Sequence, residues 1–167
     1  MDMDKMDRNA ISDTIHDMII DAMEAKAEAL FGANISAGGE YTQRGKRGAF
    51  TVQIRNAKNP GQWDSSLRHF GTSFWESDRY GELTINDGCN FEAGMMGKIA
   101  YSRRTGKNSG VHHHEVLGGE TFWPGAVVSA DGNCICAFGG LSAEDDVLIA
   151  RAGIAIYDAI YESRRHK

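Results

Sequence analysis

The feature that most constrains the fold is a hairpin pattern in the last third of the chain. Two short apolar runs, Ala126 to Ser129 and Cys134 to Phe138, flank the segment Ala130-Asp131-Gly132-Asn133. Asp-Gly between apolar runs is a strong hairpin signal, because glycine readily adopts the positive φ angle that the turn demands. The sequence therefore predicts two adjacent antiparallel strands, and Gly139-Gly140 is expected to end the second one.

Apolar residues at helical spacing predict one helix near each end of the chain. The first is expected to begin at an N-cap, Ser12, and to end at Gly32. The last is expected to begin at Ser142, with Asp145 three residues later as in a capping box. The predicted core-facing stripes are Ile15, Met18, Ile19, Ala22, Lys26 and Leu30 in the first helix and Leu148, Ala152, Ile156 and Ala159 in the last.

A strand and a central helix are predicted between these two helices. Ala49 to Arg55 alternates apolar and polar side chains, which is the period of a half-buried strand. Phe91 to Arg104 returns to helical spacing and contains Gly94 and Gly97. A glycine inside a helix costs roughly 0.5–1 kcal/mol relative to alanine. These two glycines therefore indicate the close approach of another backbone or of a ligand.

Three intervening segments give weaker signals. The basic connector from Gly38 to Gly48, which includes Arg47, is predicted to be a solvated loop, with contact to an anion as the alternative. Gln62 to Tyr80 interleaves aromatic and charged residues, which suits a pocket wall or a subunit interface. An irregular packed segment is the equal alternative there. Glu82 to Asn86 reads as a short strand.

Length and charge narrow the class of protein. The chain has 167 residues, which suits one domain, predicted over 11–167 after a disordered N-terminus at 1–10. With one antiparallel sheet flanked by helices, the fold class is α+β. A net charge of −5 argues against nucleic acid as a partner. The absence of a long apolar window and of a secretory apolar region predicts a cytoplasmic protein without a membrane partner.

The cysteines indicate reduced, structural thiols. Cys89, Cys134 and Cys136 form an odd set without a CxxC pair, which fits a reducing compartment. Cys134 and Cys136 lie two residues apart in a predicted strand and should share one face of it. We expect them to be buried packing residues, with a metal site as the alternative.

The densest titratable chemistry lies between Gly110 and Gly125. His112, His113 and His114 stand side by side and are followed by Glu115 and Glu120. Histidine titrates near neutral pH, so this cluster can serve proton transfer or metal ligation. In a strand, His112 and His114 would share a face, with one of the two glutamates as an orienting partner. A solvated strand end or loop is the alternative.

The C-terminal part resembles the GlcG/HbpS family, also called the haem-degrading domain family. The residues that carry the resemblance are Pro124 to Gly132, the segment Ala137 to Asp146, and Ala150 to Gly153, with a looser likeness of Gly97 to Tyr101 to the family's lysine-bearing helix. The earlier part of the chain is similar only in the order of its elements. The resemblance implies a compact α+β fold that commonly forms homo-oligomers.

Within that family, Thr121 to Val127 and Gly139 to Asp146 are similar to the small lyases that convert hydroxylaminobenzoate into a dihydroxybenzoate and ammonia. The resemblance therefore implies a lyase acting on a small aromatic acid. Such a reaction needs an acid to protonate the departing N–O oxygen and a base to activate water, and histidines can fill both roles. An arginine or lysine would bind a carboxylate on the substrate.

The lyase hypothesis places these groups around one pocket. Candidate catalytic residues are His112, His114, Glu115 and Glu120, and candidate substrate-binding residues are Trp75, Arg79, Lys98, Tyr101, Arg103 and Phe122. The alternative is an oligomeric carrier in which His112 or His114 ligates haem iron or a divalent metal. A third possibility is an oligomeric scaffold in which the histidine run packs at a subunit contact. No cofactor is firmly indicated.

Overall fold

The computed structural model describes residues 3–71, 91–110, 116–121 and 123–165. Within these ranges the chain forms four helices and four strands, and the fold is a single-domain α+β arrangement as predicted. Their order is α1 (Met3–Ser36), α2 (Tyr41–Arg44), β1 (Ala49–Arg55), β2 (Trp63–His69), α3 (Phe91–Thr105), β3 (Ala126–Val128), β4 (Cys134–Gly139) and α4 (Ala143–Arg165). No helix in the described ranges is both long and apolar enough to cross a membrane.

The four strands form one antiparallel sheet in the order β2-β1-β4-β3. The predicted hairpin is confirmed, because β3 and β4 pair directly and Gly132 in their turn has a φ of 74°. The central strand β1 pairs with β2 on one side and β4 on the other, so that Phe50 stands opposite Arg68 and Phe138. This arrangement brings the last third of the chain into the middle of the sheet.

Strand β1 has the predicted bounds, but the prediction that it is half-buried was wrong. Phe50 and Val52 belong to the core between the sheet, α1 and α4, whereas Ala49 packs with Met95 and Ile99 of α3 on the other face. Even Thr51, on the same face as Ala49, is fully buried. Helices cover both faces of the sheet here, so the polar half of the alternating pattern does not reach solvent.

Five aromatic rings fill the core beneath α1. Phe50 and Phe138, from neighbouring strands, have ring centroids 4.7 Å apart, and Phe70 meets both rings edge-on. Phe31 of α1 contacts Phe70 at 6.0 Å and stacks on Tyr41 at 5.9 Å. Aromatic pairs in these geometries contribute beyond their buried area. They fix α1 and α2 against the centre of the sheet.

The predicted boundaries of the first helix were wrong at both ends. Helix α1 begins at Met3, inside the ten residues predicted to be disordered, and it continues past Gly32 to Ser36. Ser12 is therefore an interior residue and not an N-cap. At the C-terminal end the helix passes an exposed Gly32, and Asn34 in the added turn accepts a hydrogen bond from the Tyr41 amide at 2.9 Å, so one unfavourable glycine does not end the helix.

Both predicted helical stripes were partly wrong. In α1, Ile15 and Ile19 are buried as expected, but Met18 is 49% exposed. In α4, Leu148 is 39% exposed, and the neighbouring Ile149 is fully buried. The buried faces consist of Ile15, His16, Ile19, Ile20, Met23, Ala27 and Phe31 in α1, and Asp146, Ile149, Ala150, Gly153, Ile154 and Tyr157 in α4. Each face includes small or polar residues that an apolar pattern overlooks.

Two further segments differ from expectation. Residues Trp63–His69 of the segment Gln62 to Tyr80 form the edge strand β2, so this part of the segment is not irregular. The Asn59-Pro60-Gly61 turn lies in the connection between β1 and β2, and the Gln62 amide donates to the Asn59 carbonyl there at 2.8 Å. Arg47, in the connector predicted to be a solvated loop, is only 4% exposed.

The predictions for α3, for the start of α4 and for two cysteines are confirmed. Helix α3 spans Phe91–Thr105, and Gly106 follows it with a φ of 69°. The Asp145 amide donates to Ser142 Oγ at 3.2 Å, so Ser142 caps α4. The reciprocal bond of a capping box is replaced, since the Ser142 amide donates to the Tyr41 hydroxyl oxygen at 2.9 Å. Cys134 and Cys136 are buried on one face of β4, with their sulfur atoms 3.9 Å apart.

Candidate functional site

A cavity of about 230 Å³ lies where α3 crosses the end of β4 and the beginning of α4. Most of its wall is apolar, and its only charged lining groups among the described residues are one lysine and one aspartate. The lining residues are Phe91, Gly94, Met95 and Lys98 from α3, Trp123 and Pro124 from the segment before β3, and Gly139, Gly140, Leu141, Ala143 and Asp146 from the β4–α4 junction. Apolar concavities with few polar groups are the usual form of a small-molecule site.

Helix α3 supplies one wall because of the spacing of its residues. Phe91, Gly94, Met95 and Lys98 occupy positions i, i+3, i+4 and i+7 and therefore share one face of the helix. Gly94 lacks a side chain on this face, and a Cβ atom there would meet, within the described part of the chain, a ring carbon of Trp123 alone, at 3.9 Å. The missing side chain thus leaves part of the cavity open.

Gly97 in the same helix has a different function. A Cβ atom at this position would lie 2.6 Å from Thr121 Cγ2 and 3.4 Å from the Gly119 carbonyl oxygen. The Thr121 amide also donates to the Gly97 carbonyl at 3.3 Å. This bears out the prediction that another backbone approaches α3 closely. The contact holds the segment that carries Trp123 and Pro124 against the helix.

Lys98 is the cation of the cavity. Its side chain is 4% exposed, and its Nζ donates to the Phe138 carbonyl oxygen and to Asp146 Oδ2, both at 2.9 Å. A lysine ammonium has three N–H donors, so one remains for a ligand in the cavity that Lys98 lines. A lysine is rarely buried unless it is paired, and Lys98 meets that condition through Asp146.

Asp146 is the partner of that lysine and is held from several directions. Its side chain is 7% exposed, and its Oδ1 accepts a hydrogen bond from the Leu141 amide at 3.0 Å. The Gly140 amide is a further donor. Burial raises the pKa of the Asp146 carboxyl, while the Lys98 ammonium and the two amides oppose that rise. The result is a buried ion pair at the base of the cavity.

Two glycines make room for the ammonium group. A Cβ atom at Gly125 would lie 2.7 Å from Lys98 Nζ, and one at Gly139 would lie 3.4 Å from it. Gly125 also has a φ of 129°, a conformation that other residues rarely adopt. The glycines on either side of the β3–β4 hairpin therefore let Lys98 reach between the strand ends to Asp146.

The structure brings one of the described candidate residues to this cavity and leaves three elsewhere. Lys98 lines the cavity, whereas Tyr101, Arg103 and Glu120 do not. The Arg103 guanidinium lies 5.7 Å from the ring centroid of Trp63. Tyr101 is buried, and the Arg104 guanidinium lies 5.8 Å from its ring centroid.

Glu120 forms a bidentate ion pair with Arg104. Its two carboxylate oxygens accept from Arg104 Nε at 2.6 Å and from Arg104 Nη2 at 2.9 Å, and Oε2 also accepts from the Leu117 amide. These donors, Arg104 above all, lower the pKa of Glu120 to about 2. A carboxylate held in this way is ionised at neutral pH and suits a structural role better than proton transfer.

The remaining candidate residues lie outside the described ranges. They are His112, His114, Glu115, Trp75, Arg79 and Phe122, and the same holds for Cys89 and for the predicted strand Glu82 to Asn86. Their roles stay predictions. Within the described ranges, no group of three or more His, Cys, Asp and Glu side chains is placed to hold a metal ion.

Sequence reasoning missed Asp146 as a site residue and Arg47 as a buried cation. Asp146 stands out in the sequence only as the last residue of the segment Ala137 to Asp146, because its pairing with a lysine 48 residues away leaves no local signal. Arg47 lies beside the cavity wall, with its guanidinium 5.9 Å from the ring centroid of Phe91. The available sequence signal was a glycine on each side of the hairpin, Gly125 and Gly139, together with Lys98 on a helix that contains glycines.

Comparison with known proteins adds no family to this description. No protein-family model matches the chain, and no curated protein is similar to it. The site is therefore interpreted from its own chemistry.

Proposed function

We propose that the cavity binds a small aromatic acid and that the protein is an enzyme acting on such acids. The observation that supports this most directly is the Lys98–Asp146 ion pair at the base of a cavity whose remaining described lining is mostly apolar. An apolar wall favours a ring, and a buried lysine with a remaining donor favours an acceptor group on that ring. A buried, charged group in a concavity is also a common mark of a functional site.

The size of the cavity suits one substituted ring. Apolar protein cavities of about 150 Å³ bind benzene, and the cavity here measures about 230 Å³. The additional space accommodates a carboxylate and one further substituent. Phe91, Met95, Trp123 and Leu141 supply apolar surface for the ring, and aromatic walls contribute favourable ring contacts beyond buried area.

The ligand carboxylate would accept the third N–H of Lys98. Hydrogen bonds between an ammonium and a carboxylate are charge-assisted and stronger than neutral ones. Because the other two protons point at the Phe138 carbonyl and at Asp146, the direction of the third is fixed. A fixed donor in an apolar cavity orients the ring, so that the opposite end faces the same way in every bound molecule.

For the reaction, we propose the lyase chemistry that the sequence predicted. Hydroxylaminobenzoate and one water molecule (net) would give a dihydroxybenzoate and one ammonia. Two ring carbons each gain a hydroxyl group, one of them the carbon that loses the nitrogen, and the N–O bond is broken. The expected resemblance of Gly139 to Asp146 to such lyases, which stays a prediction, agrees with this proposal in that these residues line the cavity or adjoin it. The histidine cluster at positions 112 to 114 would supply acid and base.

Binding and turnover test the proposal separately. Benzoate and 4-hydroxybenzoate should bind to the purified protein in isothermal titration calorimetry, and Lys98→Met should weaken that binding at least tenfold. Lys58→Met removes an exposed lysine and is the matched control. Removal of one partner of a buried ion pair costs about 3–5 kcal/mol, so Lys98→Met could unfold the protein. Urea unfolding of each variant therefore checks that it is folded before binding is compared.

Turnover would be followed as ammonia released from hydroxylaminobenzoate by metal-free protein. We expect release by the parent protein and loss of release in His112→Ala or His114→Ala with binding of benzoate retained. Binding without turnover in the parent would refute the lyase reaction and leave the aromatic-acid site. A haem Soret band that disappears in one of these histidine variants, with no binding of benzoate, would favour the carrier instead.

A further inference from the structure

The positive charge in the cavity is already balanced before any ligand binds. Lys98 Nζ lies 2.9 Å from Asp146 Oδ2, and both side chains are almost fully buried. An arriving anion therefore meets a neutral ion pair and not an isolated cation. The inference drawn from this neutral pair rests on the aromatic-acid site of the proposed function.

A bound carboxylate would share its ammonium with a second carboxylate. Two acceptors of one tetrahedral ammonium, each at a hydrogen-bond distance of about 2.9 Å, stand about 5 Å apart. Two carboxylates this close in a buried site do not both remain ionised, because their mutual repulsion strongly favours adding one proton to the pair. The apolar wall of the cavity makes that repulsion stronger than it would be in water.

We propose that binding of an aromatic carboxylate is coupled to the uptake of one proton from solvent, which is held by Asp146 and the ligand carboxylate together. The bound state then contains Lys98 as a cation, one carboxylate and one carboxylic acid. Its net charge equals that of the empty site. The coupling makes Asp146 the residue through which the pH controls binding of an anionic ligand.

The groups around Asp146 support this assignment. From α3 it faces Lys98, and from the β4–α4 junction it faces the amides of Gly140 and Leu141. Burial raises the pKa of Asp146 even before a second carboxylate arrives. Its neighbour Asp145 accepts a hydrogen bond from the Tyr41 hydroxyl, outside the lining of the cavity.

Arg47 is the other buried cation near the site. Its guanidinium lies 5.9 Å from the ring centroid of Phe91, whose side chain lines the cavity, but Arg47 itself is not among the lining residues. It therefore contributes to the local potential without offering a donor to a ligand in the cavity. The lining cation remains Lys98, and its nearest anion remains Asp146.

The proton is counted by titrating benzoate into the protein in several buffers of different ionisation enthalpy. At about pH 6.5 we expect uptake of at least half a proton per bound benzoate. The association constant should accordingly rise as the pH falls, by up to tenfold per pH unit where uptake is complete. Benzamide, a neutral ligand of nearly the same shape, should bind without uptake.

Asp146→Asn identifies the acceptor of the proton. This variant should bind benzoate without proton uptake and with an affinity independent of pH, whereas a purely structural role for Asp146 would leave the proton count unchanged. Uptake that persists in a folded Asp146→Asn protein would place the proton elsewhere and overturn the inference. If that variant does not fold, the comparison of benzoate with benzamide on the parent protein decides.

The two proposals fail in different ways. Binding of benzoate with no proton uptake, and with an affinity that is constant between about pH 6 and pH 8, would overturn the coupling and leave the aromatic-acid site standing. No binding of benzoate at all would overturn both.

Discussion

Replacing Gly94 with alanine should make the protein more stable and a weaker binder at the same time. Gly94 lies inside α3, where glycine costs roughly 0.5–1 kcal/mol relative to alanine. Among the described residues, the new Cβ atom would meet a ring carbon of Trp123 alone within 4 Å, at 3.9 Å, which is an ordinary van der Waals contact. Since no described contact opposes the helical preference, the free energy of unfolding should rise by about 0.5–1 kcal/mol.

The cost of this substitution should appear in ligand binding. Gly94 lines the cavity of about 230 Å³, and a methyl group occupies a volume comparable to that of one water molecule, about 30 Å³. A ring that fills the cavity would have to shift or be compressed, and overpacking of this kind costs typically 1–3 kcal/mol. At about 1.4 kcal/mol per tenfold change, the dissociation constant of benzoate should increase roughly fivefold to a hundredfold.

Gly97→Ala is the matched control three residues further along the same helix. Its Cβ atom would lie 2.6 Å from Thr121 Cγ2 and 3.3 Å from the Thr121 amide nitrogen, so the segment that packs on α3 must move. We expect a loss of about 1–3 kcal/mol in the free energy of unfolding, reduced by the gain in helical preference. Gly97 does not line the cavity, so its effect on binding should follow from stability alone.

Urea unfolding and calorimetric titration with benzoate, carried out on both variants, check this reasoning. The sign of the change in unfolding free energy should differ between the two glycines. If Gly94→Ala binds benzoate as tightly as the parent while it gains stability, the ring does not occupy the space beside Gly94. If Gly94→Ala instead loses stability, the wall at that position is closed by groups other than Trp123.

Three further predictions concern the scaffold. Burial lowers the pKa of His16, so its contribution to the free energy of unfolding should be fully present above about pH 6.5 and should be lost as the pH drops below that value. Urea unfolding at several pH values should show a smaller fall in His16→Gln. Ile149→Ala should cost about 2–4 kcal/mol in thermal unfolding, whereas Leu148→Ala, at the exposed neighbouring position, should cost less than about 1 kcal/mol. Ser142→Ala should cost about 1 kcal/mol, because the Asp145 amide loses its capping acceptor. A cost near zero by urea unfolding would show that another acceptor takes over.

The elements with strong local chemistry were predicted from the sequence. The Asp131-Gly132 turn, the Ser142 cap and the spacing of α3 all depend on contacts between residues close together in the chain. Such signals survive in any fold that contains the element. They were sufficient to assign the α+β class and to locate the hairpin formed by β3 and β4.

The errors lie where the tertiary environment chooses between local alternatives. Helix α4 carries two adjacent apolar stripes, one through Leu148 and Ile156 and one through Ile149 and Tyr157, and periodicity alone does not choose between them. The structure buries the second stripe, in which Gly153 lets α4 approach the sheet. A Cβ atom at Gly153 would lie 2.7 Å from Cys136 Sγ and 2.8 Å from Met23 Cγ. A glycine that permits close packing carries no hydrophobic signal of its own.

The choice between the two stripes also determines the site. Asp146 lies three residues before Ile149 and therefore shares its face, so burying that face carries a carboxylate into the interior. A buried carboxylate without a partner is strongly unfavourable, and Lys98 on α3 satisfies this requirement from across the end of β4. The ion pair in turn needs small residues around the ammonium, which Gly125 and Gly139 provide. The stripe of α4, the lysine of α3 and the glycines of the hairpin are thus parts of one arrangement. The sequence shows each part separately, and only the fold shows that they meet at the cavity.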